Sequence, residues 1–134
     1  MSKKEDIQKK VIEFQILEAN LKMLQERANV INQKAEELEK TRVAIEELKD
    51  TKPSKALIPL GSGNFVNGSI ENSENIIVGI GSGVAIKKKR EESIKILDDR
   101  IKDLENDLND ISKQSTAIII QLEKVQQDIE KLQE

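Results

Sequence analysis

The sequence predicts a mainly α-helical protein, a long antiparallel coiled-coil hairpin with two β-hairpins between its helices. Three observations predict it. Apolar residues recur at alternating three- and four-residue steps in two long flanking stretches. All six glycines and both prolines lie between those stretches, in residues 53–86. Charged residues make up 35% of the chain and aromatics 1%, a composition that suits narrow Ile, Leu and Val seams better than a thick globular core. At 134 residues the chain reads as a single domain, 1–134. Within it, 3–50 is the first coiled-coil helix, 53–86 the two β-hairpins and 87–134 the second coiled-coil helix.

In the first arm, taking Ile7 as heptad position a, the a residues are Ile7, Phe14, Leu21, Ala28, Ala35 and Arg42. The d residues are Lys10, Leu17, Leu24, Ile31, Leu38 and Ile45. Only Lys10 and Arg42 break the apolar rule. A 3-4 repeat sustained this long predicts a coiled-coil helix, which reaches roughly 70 Å at the helical rise. Ala28 and Ala35 let a partner helix approach closely near mid-arm. Asp50 and Thr51, before Lys52-Pro53, are expected to end the helix, because the residue before a proline avoids the helical region. Val11, Ile12 and Ile16 fall off the seam, at e, f and c.

The central stretch contains four short apolar or β-branched runs, Leu57 to Leu60, Asn64 to Ile70, Ile76 to Ile80 and Val84 to Ile86. Glycine and small polar residues bound them, which predicts strands. Gly61-Ser62-Gly63 and Gly81-Ser82-Gly83 supply the positive φ that tight hairpin turns need. The second apolar–Gly-Ser-Gly–apolar unit follows the first by 20 residues, so the stretch reads as a duplicated hairpin. Glu71 to Asn75 reads as the loop between the copies. Pro59 leaves its strand with an open edge. Two isolated hairpins are not stable in water, and open edges pair with other chains. The strands are therefore an assembly element, carried by Leu57, Ile58, Leu60, Phe65, Val66, Ile70, Ile76, Ile77, Val78, Ile80, Val84 and Ile86. The glycine spacing is neither GxGxxG nor a Walker loop, which argues against phosphate binding.

The second arm has the cleaner repeat. Its a residues are Ile94, Ile101, Leu108, Ser115, Leu122 and Ile129, and its d residues Leu97, Leu104, Ile111, Ile118, Val125 and Leu132. Ser115 is the only polar seam residue. The run Lys87-Lys88-Lys89-Arg90 is expected at the amino end of this helix, where it opposes the macrodipole and is partly offset by Glu91 and Glu92. Folded back antiparallel, the arms bring Ile7 level with Ile129 and Ile16 level with about Ile120. The off-seam Ile119 and Ile120 then share the distal part of the hairpin with Ile12 and Ile16. Coinciding apolar surplus of this kind marks an interaction site.

The chemistry available is narrow. There is no Cys and no His, hence no disulfide, no thiolate and none of the commonest general base. The 22 basic and 25 acidic residues are well mixed, which argues against a nucleic-acid footprint. The start is polar and no uncharged apolar run is long enough to span a bilayer, so a cytoplasmic location without membrane contact is expected. An enzyme is the weakest reading, and no cofactor or metal is expected.

Helix, two β-hairpins and helix in a chain of this size resemble the α-class subunit of prefoldin, an archaeal and eukaryotic hexameric co-chaperone. The resemblance rests on Leu57-Ile-Pro-Leu-Gly-Ser-Gly-Asn-Phe-Val66 and on Ile76-Ile-Val-Gly-Ile-Gly-Ser-Gly-Val-Ala-Ile-Lys-Lys88. The low aromatic content and the lack of an acidic tail are similar to archaeal members. The resemblance implies that two α-class and four β-class subunits join their hairpins into an oligomeric β-barrel body. It also implies arms whose tips grip non-native polypeptides and pass them to a group II chaperonin without ATP. The tip residues would be Ile7, Val11, Ile12, Phe14, Ile16, Ile119, Ile120, Val125, Ile129 and Leu132. A structural coiled-coil adaptor with a β-sheet oligomerisation hub remains the alternative; it accounts for the heptads and hairpins but not for the off-seam aliphatics.

Overall fold

Ser2 opens the first helix. Its carbonyl accepts from the Asp6 N–H at 3.2 Å and its hydroxyl oxygen from the Glu5 N–H at 3.2 Å, which supplies partners for two first-turn donors. The computed structural model describes residues 2–50 and 52–134. Its elements are α1 (Lys3–Glu47), β1 (Ser54–Gly61), β2 (Asn64–Ile70), β3 (Asn75–Gly81), β4 (Val84–Lys89) and α2 (Arg90–Gln133). They fall into two units, an arm unit of Met1–Ala35 with Asp103–Glu134 and a hairpin unit of Glu36–Lys102.

Both heptad seams are where the sequence puts them. Every a and d residue of α1 and α2 is buried or half-buried. Leu24, Ile111 and Val125 are buried in the arm unit, and Leu38, Ile45 and Leu97 in the hairpin unit. Each fully buried side chain of this size contributes about 1.5–3 kcal/mol. In the arm unit the helices run antiparallel, because Lys3 Nζ donates to the Glu134 carbonyl at 2.6 Å and Lys10 Nζ lies 3.4 Å from Asp128. That register sets Ile16 about level with Leu122, some two residues from the alignment expected with Ile120.

The first helix ends at Glu47, short of the expected 50. Its last turn tightens, with Leu48 N–H donating to the Ile45 carbonyl at 3.2 Å and Lys49 N–H to Glu46 at 3.0 Å. Asp50 then adopts φ 61°, a left-handed conformation that a short polar side chain tolerates. Thr51, the other residue expected to end the helix, lies outside the described residues.

The hairpin unit holds two separate two-stranded antiparallel sheets, β1–β2 and β3–β4. The two copies share their turn geometry. Gly61, Ser62 and Gly63 have φ of 112°, 52° and 80°, and Gly81, Ser82 and Gly83 have 102°, 54° and 74°. Positive φ at both central residues, Ser and Gly, makes each a two-residue turn of the kind whose twist matches paired strands. Each copy also carries an irregularity that the sequence reading did not anticipate. The register shifts between Pro59 and Gly61 and again between Gly79 and Gly81, which leaves Leu60 and Ile80 out of the pairing.

All four strands include the expected runs, but β1, β3 and β4 extend beyond them. Lys87, Lys88 and Lys89 belong to β4, paired with Ile77, Ile76 and Asn75, so they do not stand at the start of the helix. The ladder with β3 continues through them, and only Arg90 enters α2. Its N–H donates to the Glu74 carbonyl at 2.8 Å, and its guanidinium to the Ser73 carbonyl at 3.1 Å and to Glu91 at 3.1 Å. Arg100, further along the helix, donates to the Gly79 carbonyl at 3.3 Å. The second hairpin is thus tied to α2 at its base and again near its turn.

Candidate functional site

Among the described residues there is no cluster of His, Cys, Asp or Glu fit to hold a metal, and no helix long and apolar enough to cross a membrane. What the chain offers is apolar surface, in two places.

The first place is the hairpins. Leu57, Ile58, Leu60, Phe65, Val66, Ile77, Ile80 and Val84 are exposed, with Ile77 at 71% and Leu60 at 69%. Strand alternation explains their distribution. In the first hairpin Ile58 faces Val66 across one side, while Leu57 and the Pro59–Phe65 pair occupy the other, so both faces carry aliphatic or aromatic groups. Gly68 sits under the Ile58 side chain, and a Cβ there would overlap Ile58 Cδ1. In the second hairpin Val78 is buried, while Ile76 and Ile86, like Ile70 of the first, are half-buried. Val78 therefore packs inside this chain. The remaining residues stay accessible on sheets of two strands, whose outer edges have no partner strand among the described residues.

The second place is the arm unit. Val11, Ile12, Ile16, Ile119 and Ile120 are all exposed. Val125, expected at the gripping surface, is only 4% exposed, because it is a seam residue packed in the coil. The seam residues Ile7, Phe14, Ile129 and Leu132 are half-buried for the same reason. Ile120 lies about four helical turns from Glu134, so this apolar surface is set back from the end of the coil. Met23 and Val30, exposed at 60% and 66%, continue it along α1 and share a shallow cleft with Glu26, Arg27 and Ile31. Sequence reading passed over both. Their signal was present, since Ile16, Met23 and Val30 all fall at position c, one heptad apart.

The two polar seam residues of α1 have partners on α2. In the arm unit, Lys10 pairs with Asp128 and, 3.5 Å away, with Glu13; its hydrogen bond to the Asp128 carboxylate raises its pKa above the ordinary lysine value. In the hairpin unit, the Arg42 guanidinium donates to Asp98 and, at 3.3 Å, to Glu46, and the Asp98 bond likewise raises its pKa. Both seam interruptions are thus matched by an acid on the flank of the facing helix.

Comparison with known proteins agrees with this architecture. A family model described as "Prefoldin subunit" matches residues 17–134. The chain is 30% identical over 121 residues to prefoldin subunit alpha of Pyrococcus horikoshii, covering 89% of this chain and 79% of that one. It is 29% identical over 130 residues to prefoldin subunit alpha of Archaeoglobus fulgidus, covering 96% and 95%. Among solved structures, the cryo-EM structure of filamentous PFD from Methanocaldococcus jannaschii superposes with a TM-score of 0.74 at 19% identity, covering 83% of this chain and 93% of that one, which establishes the shared fold. Two long helices around a duplicated hairpin, the family match across most of the chain and the run of alpha-subunit relatives make this chain a member of the prefoldin chaperone family, of the archaeal alpha type.

Proposed function

We propose that this chain is the α-class subunit of a hexamer and that it holds non-native polypeptides on the aliphatic surface of its arm unit. Two copies and four β-class subunits would join through their hairpin edges and exposed strand faces into a β-barrel body. The arms would keep captured chains from aggregating and pass them to a group II chaperonin without ATP. The observation that carries this reading is the exposure of Ile12, Ile16, Ile119 and Ile120 in a unit whose seam is already closed. Stability of the coil does not require them, and exposed aliphatics at about the same level on both helices fit promiscuous, reversible holding.

The test is aggregation of a chemically unfolded protein after dilution, followed by light scattering, with this chain assembled with a β-class partner. The variant with Ile12, Ile16, Ile119 and Ile120 all changed to Gln should keep the native mass of the assembly and lose most of the suppression. Added ATP should change nothing. Unchanged suppression by the variant would favour the adaptor reading. A monomeric native mass, alone and with the partner, would refute assembly through the hairpins.

A further inference from the structure

The pair Asn67-Gly68 lies on β2 and takes no part in the functions described above. Asn67 is the one asparagine of the chain that is followed by glycine. Asparagine is a thermolabile residue, and a following glycine makes it more so. The glycine nitrogen is unhindered, and its backbone turns freely toward the preceding side chain. Asn67 is exposed, so water reaches its amide. Packing favours glycine at 68, because Ile58 lies over it and a Cβ there would overlap Ile58 Cδ1. The other asparagines are better sheltered. Asn20, Asn29, Asn32, Asn106 and Asn109 stand within helices, and Asn64 and Asn75 precede the bulky Phe65 and Ile76. Asn72 precedes Ser73, but its side chain is held by the Glu74 N–H at 2.8 Å.

The ladder restrains the reaction. Asn67 pairs with Leu57 and Gly68 with Ala56, which keeps both residues extended and the Gly68 nitrogen away from the Asn67 side chain. A sheet of two strands is marginal by itself and opens locally more readily than a larger one. Opening of the first hairpin therefore controls access to the reactive geometry.

We propose that Asn67 is a self-modification site that marks chains left outside the assembly. When the hairpin opens, the Gly68 nitrogen attacks the Asn67 side-chain carbonyl carbon. The new N–C bond closes a cyclic imide, and the amide nitrogen leaves as ammonia with the proton from Gly68. One water then opens the ring. Opening at the side-chain carbonyl leaves an aspartate and keeps the register. Its carboxylate shares a strand face with Lys55, whose partner Ser69 is two residues along, so the diagonal pair is favourable. Opening at the main-chain carbonyl leaves an isoaspartate, which routes the backbone through the side-chain carbon. The extra backbone atom throws Gly68 to Ile70 out of register with Ala56 to Ser54 and disables the hairpin for assembly. Pairing with neighbouring subunits holds the hairpin closed and suppresses the reaction. That protection rests on the hexamer proposed above; the chemistry at Asn67 does not.

The full chain, alone and assembled with a β-class partner, is incubated at neutral pH over days. Its proteolytic peptides are read by mass spectrometry with fragmentation that separates aspartate from isoaspartate. Modification should concentrate at position 67 and run several-fold faster in the free chain. The aged free chain is then mixed with fresh partner. Isoaspartate should be enriched in the fraction that fails to assemble, and aspartate should not. Asn67→Gln, whose longer side chain cyclises far more slowly, should keep its competence through the same incubation, and Asn67→Asp should assemble like the unaltered chain. Faster modification at another asparagine, equal rates in free and assembled chains, or an Asn67→Gln chain that ages as fast as the unaltered one overturns the proposal. Failure of fresh chain and partner to assemble refutes the hexamer and the marking role with it, while the peptide map of the free chain decides the chemistry at Asn67 separately.

Discussion

Arg42 of α1 donates through its Nε to Asp98 of α2, and by this contact a cation holds a seam position that the heptad reserves for an aliphatic residue. Leu38, Ile45 and Leu97 are buried in the same unit. Asp98→Ala should lower the melting temperature followed by helical circular dichroism, because the guanidinium keeps its half-buried place and loses its main acceptor. Arg42→Leu should not lower it, since the apolar repeat is then continuous. The Arg42→Leu, Asp98→Ala double variant should match Arg42→Leu alone. A double variant less stable than Arg42→Leu would show that Asp98 has a role apart from this pair.

Lys10 provides a pH signature. Its pKa is raised in the folded chain, chiefly by the hydrogen bond with Asp128. A cation with a raised folded-state pKa stabilises fully below its unfolded value, and that contribution is lost as pH rises through the folded value. The unaltered chain should therefore lose more thermal stability than a Lys10→Leu variant as pH is taken upward past the ordinary lysine value of 10.5. The two proteins differ only at position 10, so the difference between their melting curves isolates this residue. Parallel curves across that range would refute the assignment.

Ser62 and Ser82 occupy the left-handed region at φ 52° and 54°, each followed by a glycine with positive φ. Asparagine tolerates this conformation better than serine, and Asn-Gly is the favoured pair for such a turn. Ser62→Asn and Ser82→Asn should each slow amide hydrogen exchange across the hairpin that contains them. Ser62→Val should do the opposite, because a β-branched side chain fits positive φ worse than serine does. Similar exchange rates in all of these variants would mean that the turn does not limit hairpin stability.

The parts of the fold that were legible follow from periodicity. Position in the heptad alone predicted the partial or full burial of Ile7 through Ile45 and of Ile94 through Leu132 along the two seams. The paired Gly-Ser-Gly units located both turns, because positive φ is a local demand with a narrow choice of residues. The partners of Lys10 and Arg42 were not legible, since which acid faces which cation depends on the antiparallel register to within one or two residues. The length of β4 was hidden for a different reason. Lys87 to Lys89 have neither the alternation nor the β-branching of a strand, and it is pairing with Asn75 to Ile77 that extends it. Met23 and Val30 looked like ordinary exposed apolar residues when taken singly. Only the spacing they share with Ile16 makes them a stripe.

Arg90 joins the second hairpin to α2, and its side chain is only 11% exposed. Its guanidinium donates to the Ser73 carbonyl, while its N–H donates to the Glu74 carbonyl. Asn72 shapes the same loop by accepting from the Glu74 N–H at 2.8 Å. Arg90→Ala keeps the backbone bond and removes the side-chain one, for an expected loss of about 1–2 kcal/mol, as for other hydrogen bonds from a charged donor. Arg90→Lys should not fully restore it, because an ammonium lacks the planar fork that reaches the carbonyl and Glu91 together. Chemical denaturation of the two variants measures the loss. Hydrogen exchange at Glu74 and along β4 should rise in both, and more in Arg90→Ala. If exchange rises only in α2, the guanidinium stabilises the helix start and not the joint between loop and helix.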